Sequence, residues 1–98
     1  MFKKRISFTY ETNNGIPYRW TYDIEDEDIV ELFRIHKKDY SKTRGRGAKL
    51  ILKYVFKGLK AGTTAITFKY ISLKDDSVTQ EYRHIVTVDD KLNITLND

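Results

Sequence analysis

Two histidines, a run of acids and a run of bases are the residues of this 98-residue chain whose types could do chemistry. His36 and His84 lie far apart in sequence, and neither stands near a serine motif of the nucleophile-elbow kind, so hydrolytic catalysis finds no support. His84 falls on the Tyr82/Val86 side of an alternating segment, which suits a packed or edge histidine. Asp23, Glu25, Asp26, Glu27 and Asp28 form the acidic run. It lacks the glycine and the closing glutamate of a calcium-binding loop, and a solvated turn explains it. Lys37, Lys38, Lys42, Arg44, Arg46 and Lys49 form the basic run, with Tyr40 among them. Basic residues beside an aromatic are what single-strand nucleic-acid binders use. The neighbouring acids oppose phosphate, however, and the formal net charge is only +4, so nucleic acid is not the expected partner. The segment GRGAK at 45–49 has no Gly-Lys-Ser/Thr ending to make it a phosphate cradle. Metal ligands at paired helical spacing are missing, and cysteine is absent altogether, which removes thiolate sites, disulfides and cysteine nucleophiles. Neither an enzyme, nor a metal site, nor a cofactor is expected.

The elements that position these residues are strands. Ile6, Phe8 and Tyr10 alternate with Ser7, Thr9 and Glu11, the two-residue period of a half-buried strand. Asn13-Asn14-Gly15-Ile16-Pro17 interrupts it with turn formers in series. Tyr18, Trp20, Tyr22 and Ile24 then share a face, which sends Trp20 and its neighbours toward a core. Leu50, Leu52, Tyr54 and Phe56 share another. Gly58 and Gly62 bracket a turn, and Thr64, Ile66, Phe68 and Tyr70 follow with the same alternation. A turn at Lys74-Asp75-Asp76-Ser77 leads to Tyr82, His84, Val86 and Val88. Leu92, Ile94 and Leu96 mark a last short strand. Turns at intervals of about 8–12 residues are the pattern of a sandwich.

One stretch is ambiguous. EDEDIVELFRIHKK, residues 25–38, carries acids first and bases last, with Ile29, Leu32, Phe33 and His36 at helical spacing. With period two, Ile29, Phe33 and Ile35 share a face and Glu31 is out of place.

Length and composition set the frame. A chain of this size makes one domain, residues 1–98, with a thin core. The hydrophobic fraction is 40% and the charged fraction 33%, values of a globular protein. No stretch approaches the ~18 apolar residues of a membrane span, so no membrane partner is expected. The opening MFKKRISFTYET has no apolar core of about 7–15 residues, so it is not a signal peptide. The expectation is a cytoplasmic protein, or a secreted one whose leader is not part of this sequence.

Three places along the chain together resemble the chagasin-type inhibitors of papain-family cysteine proteases. That family carries Asn-Pro-Thr-Thr-Gly-Tyr-x-Trp before its second strand. NNGIPYRW, Asn13 to Trp20, keeps the asparagine, tyrosine and tryptophan at the same spacing. Gly45-Arg46-Gly47-Ala48 resembles the second signature, Gly-x-Gly-Gly, with its final glycine replaced. LILKYVFKGLKAGTTAITFKY, Leu50 to Tyr70, is similar to the family's strand, Leu-Lys-Ala-Gly turn and following strand. The third signature, Arg-Pro-Trp, should fall at Ser72-Leu73-Lys74 and is missing; both threonines of the first are missing too.

The resemblance implies an all-β, immunoglobulin-like, two-sheet antiparallel sandwich of about seven strands, with a strand where Ile29 to His36 lies. It implies three loops at one end entering the protease cleft. The partner-binding residues would be Asn13, Asn14, Gly15, Ile16 and Pro17, then Gly45, Arg46 and Gly47, then Ser72, Leu73 and Lys74. Pro17 would stiffen the first loop, Ile16 would offer an apolar anchor, and the two glycines would allow close backbone approach. The expected partner is a papain-like cysteine protease, bound reversibly by a monomer. Loss of an aromatic wall contact can weaken such binding by ~2 kcal/mol, or roughly thirtyfold. The alternative is an interaction or adhesion module on the same fold that binds a non-protease partner through the same loops; an ordinary hairpin-like turn is the other reading of Asn13 to Pro17.

Overall fold

The computed structural model describes residues 4–13, 16–39 and 49–97. Seven strands follow in order: β1 Arg5–Asn13, β2 Tyr18–Ile24, β3 Val30–Asp39, β4 Lys49–Gly58, β5 Gly62–Ser72, β6 Val78–Val88 and β7 Ile94–Leu96. They form a three-stranded sheet, β1-β4-β3, and a four-stranded sheet, β2-β5-β6-β7. Every pairing is antiparallel. The all-β sandwich expected from the alternation and the resemblance is what the chain forms.

The core lies where the inward halves of the alternating strands meet. Phe8 from β1, Tyr54 and Phe56 from β4, Ile66 and Phe68 from β5, and Val86 and Val88 from β6 are all buried. Full burial of each aliphatic or aromatic side chain contributes about 1.5–3 kcal/mol. Phe68 sits at the centre, 5.6 Å from the Phe8 ring and 6.0 Å from the Phe56 ring, in the tilted and edge-on geometries that ring quadrupoles favour. His84 belongs to this packing. Its ring stacks on Phe8 at 4.3 Å and its Nε2 lies 2.6 Å from the Tyr10 hydroxyl.

Residues 30–39 are a strand and not a helix. The face expected for it needs correction. Register against β4 shifts between Leu32 and Arg34, with Phe33 left over. This bulge changes the phase of the alternation by one residue. Val30 and Leu32 face inward before it, opposite Gly58 and Phe56, and Ile35 and Lys37 do so after it, opposite Tyr54 and Leu52. Phe33 therefore does not share a face with Ile29 and Ile35. It turns outward, where the Arg5 guanidinium lies 3.9 Å from its ring centroid. The bulge puts a three-residue step, Leu32 to Ile35, into the two-residue period, which is why strict alternation fails here and the segment reads locally as a helix.

Two further expectations are adjusted. Leu92 is not in β7; it has φ 66° in the Asp89–Asn93 turn, where Asn93 is buried and hydrogen-bonded to Asp89. Tyr18 is on the Trp20 face but exposed, stacked against Tyr70 at 5.5 Å, so it flanks the core instead of filling it.

Candidate functional site

Strand registers decide which connections meet. Asn13 pairs with Lys49 and Asp39 with Leu50, so β1 and β3 end where β4 begins. Tyr18 pairs with Ser72, so β2 begins where β5 ends. The β1–β2, β3–β4 and β5–β6 connections therefore all leave from one pole. The β2–β3, β4–β5 and β6–β7 connections leave from the other.

Two of the three connections at the first pole are joined. The Leu73 amide donates to the Pro17 carbonyl at 2.8 Å. Pro17 has no amide hydrogen of its own to give, and its fixed φ holds the carbonyl in place. The 73–77 turn is closed from within. Ser72 N donates to Ser77 O at 2.9 Å, Asp76 N donates to Ser72 O at 2.9 Å, and Lys74 N donates to Ser72 Oγ at 3.2 Å. Asp75 Oδ1 accepts from Ser77 Oγ at 2.8 Å and Ser77 N at 3.1 Å. These bonds, the Ser77 hydroxyl first, hold the Asp75 carboxyl below its ordinary value. The turn asks Asp76 for φ 59°, a conformation that aspartate tolerates better than most residues.

Of the residues expected to bind a partner, Asn13, Ile16, Pro17, Ser72, Leu73 and Lys74 stand together at this pole. Asn14, Gly15, Gly45, Arg46 and Gly47 lie outside the described residues. The six placed ones do not share one role. Ser72 is buried, with its hydroxyl and both backbone groups engaged inside the turn. Leu73, next to it, is 52% exposed, an apolar side chain held out by a fixed backbone.

Ile16 is half-buried at the mouth of a cleft of about 330 Å³ between the sheets, together with Trp20, Ile35, Leu50, Leu52 and Tyr54. Trp20 is anchored there by its indole Nε1, which donates to the Glu11 carbonyl at 2.9 Å. Burial, and then the neighbouring Tyr22 phenol, push the Tyr54 hydroxyl above its ordinary value. The cleft was not legible in the sequence. It depends on Ile35 and Lys37 facing inward, which follows from the bulge and not from any local pattern. The arrangement supplies shape, exposed apolar side chains and, in the 73–77 turn, a fixed backbone, which are the means of docking.

A model of the chagasin family of peptidase inhibitors, I42, matches residues 2–97. The chain belongs to the chagasin family. That meets the expectation of a proteinaceous peptidase inhibitor. Among solved structures, this chagasin-family chain is similar to the crystal structure of the cysteine protease inhibitor EhICP2 from Entamoeba histolytica. The likeness has a TM-score of 0.74 at 22% identity and covers 90% of this chain and 81% of that one. At such identity it is a likeness of fold. No curated protein matches the chain. The chagasin-family signatures that survive in the sequence, Asn13 to Trp20 and Leu50 to Tyr70, correspond to the first connection with β2 and to β4 with β5. Their shared tyrosine and tryptophan are scaffold: Tyr18 stacks on Tyr70, whose hydroxyl lies 2.8 Å from Thr12 Oγ1, and Trp20 ties β2 to β1.

Proposed function

We propose that this chagasin-family chain inhibits papain-family cysteine proteases reversibly, by lodging the β1–β2, β3–β4 and β5–β6 connections in the active-site cleft. The observation that carries the reading is that the strand ends bearing these connections lie at one pole, with the first and third joined by the Leu73–Pro17 hydrogen bond. A turn already held in its bound shape loses little conformational entropy on docking, so more of its contact energy survives as affinity. Ile16 and Leu73 are the apolar anchors, Asn13, Asn14, Gly15 and Pro17 shape the first connection, and Lys74 sits at the rim. Gly45, Arg46 and Gly47 furnish the second connection. Ser72 supports Leu73 from beneath. Lys74 falls where the missing Arg-Pro-Trp signature has its tryptophan, and Leu73, at the proline position, is the smaller apolar contact left for that wall. That substitution lowers affinity relative to an aromatic by roughly tenfold or more.

The test is to titrate the purified chain into a papain-family protease and follow hydrolysis of a small substrate. Inhibition that is reversible on dilution and leaves the chain uncleaved is the expected result. No inhibition at high micromolar concentration contradicts the proposal.

A further inference from the structure

The two outer faces of the sandwich carry different charge. On the β1-β4-β3 sheet the outward residues include Arg5 from β1, Lys49, Lys53 and Lys57 from β4, and Arg34 and Lys38 from β3 beyond the bulge. Among the described residues two carboxylates stand against these six cations, and both sit at the ends of β4. Glu11 pairs with Lys49 at 3.0 Å and Glu31 with Lys57 at 3.0 Å. Between them Lys53 and Arg34 lie beside half-buried Ile51 and Val55, with no ion pair to either cation among the described residues. The β2-β5-β6-β7 face is balanced. Its Arg83 pairs with Glu25 at 3.1 Å and its Lys69 lies 3.7 Å from Glu81, while Arg19 and Asp23 complete β2.

That face runs into the proposed binding pole. Lys38 is the last but one residue of β3 and Lys49 the first of β4, on either side of the β3–β4 connection. Lys53 is four residues further down, about 13 Å at the rise of a strand. That exceeds the Debye length of about 8 Å at physiological salt. Such charges contribute little to a docked complex and more to the encounter, when the low-salt field of the whole face guides approach. We propose that this basic face is an electrostatic docking flank, and that the protease the chain inhibits bears an acidic surface beside its active-site cleft. The inference rests on the reading of the pole given above and names the electrostatic character of the partner.

The experiment measures association and dissociation rates against ionic strength, with a papain-family protease chosen for carboxylates along its cleft rim. Three proteins are compared: wild type, the pair Arg34→Glu and Lys53→Glu on the basic face, and the pair Lys69→Glu and Arg83→Glu on the balanced face. Both pairs change net charge equally, and thermal melting verifies that each folds. The basic-face pair should slow association by roughly tenfold at low salt and flatten its salt dependence, with dissociation within twofold. The other pair should slow it less than threefold. Equal slowing by both pairs overturns the proposal, since net charge alone would then suffice. So does salt-insensitive association of the wild type, and so does an effect confined to dissociation. Retention of wild type on an immobilised sulfated polysaccharide, lost in the basic-face pair while protease association is unchanged, assigns the face to a polyanion and overturns it too. Failure of the wild type to inhibit at all is a separate outcome: it removes the inhibitory reading and this inference with it.

Discussion

The two poles of the sandwich differ in how closely the backbone is packed at the connections. At the pole of the β2–β3, β4–β5 and β6–β7 connections, Ile29, Val30, Val88 and Ile94 are buried, and the backbone is drawn so close that side chains have no room. A Cβ on Gly58 would stand 2.7 Å from Val88 Cγ1, and one on Gly62, at φ 154°, would stand 2.7 Å from Ile29 Cδ1. At the other pole Tyr18 and Leu73 are exposed, and a cleft opens beneath Ile16. Here the 73–77 turn is closed by its own backbone and side-chain hydrogen bonds, with the side chain of Leu73 left out of the core. The difference teaches that one end secures the fold while the other, relieved of that duty, can present apolar side chains to a partner. Loops on a rigid scaffold are free to vary in this way.

The largest expected effect tests the sealed end. Gly58→Ala forces a methyl into Val88, and overpacking of this kind costs about 1–3 kcal/mol. For a chain of this size that lowers Tm by roughly 5–15 °C. Inhibition per folded molecule, measured well below the melt, should be unchanged. An unaltered Tm, or a loss of inhibition while the protein is folded, breaks the division of labour between the poles.

A smaller effect sharpens what the poles share. Each has a turn closed by an aspartate. Asp75 is held by Ser77 at the open pole, and Asp89 by the Asn93 amide and side chain, with Lys91, at the sealed one. Both carboxyls are held below 3.8. A lowered carboxyl contributes stability that is present above its unfolded value, about 3.9. That contribution is lost as pH falls through the folded value. Carboxyl NMR titration should therefore give both residues midpoints below 3.8, with the turns intact at any pH above 4. A midpoint at or above the ordinary value for either residue means that its turn is not closed as described.

Much of this division was legible in the residues. Strict alternation marks β1, β2, β4, β5 and β6, because each has one face on the core and the other on water. It fails in β3, where Phe33 is an extra residue and the phase on either side differs by one. Only the family resemblance separated strand from helix there. The grouping of the candidate site was legible through the resemblance as well, since nothing local to Asn13 or Ser72 says that they are neighbours. Two details were out of reach of any local reading. Burial of Ser72 beside exposed Leu73 depends on how the 73–77 turn folds back. The basic face exists only because the bulge points Arg34 and Lys38 the same way as Lys53.

The most direct test uses two exposed leucines, one at each pole. Leu73 is 52% exposed at the open pole and Leu59 is 39% exposed at the sealed one. Leu73→Asp and Leu59→Asp make the same chemical change, and each variant is titrated into a papain-family protease that the wild type inhibits. The account predicts that Leu73→Asp weakens inhibition at least tenfold, the scale of a lost interface anchor. Leu59→Asp should leave it within twofold, and both should melt within a few degrees of wild type. Equal inhibition by the two variants, or a loss confined to Leu59→Asp, would contradict it.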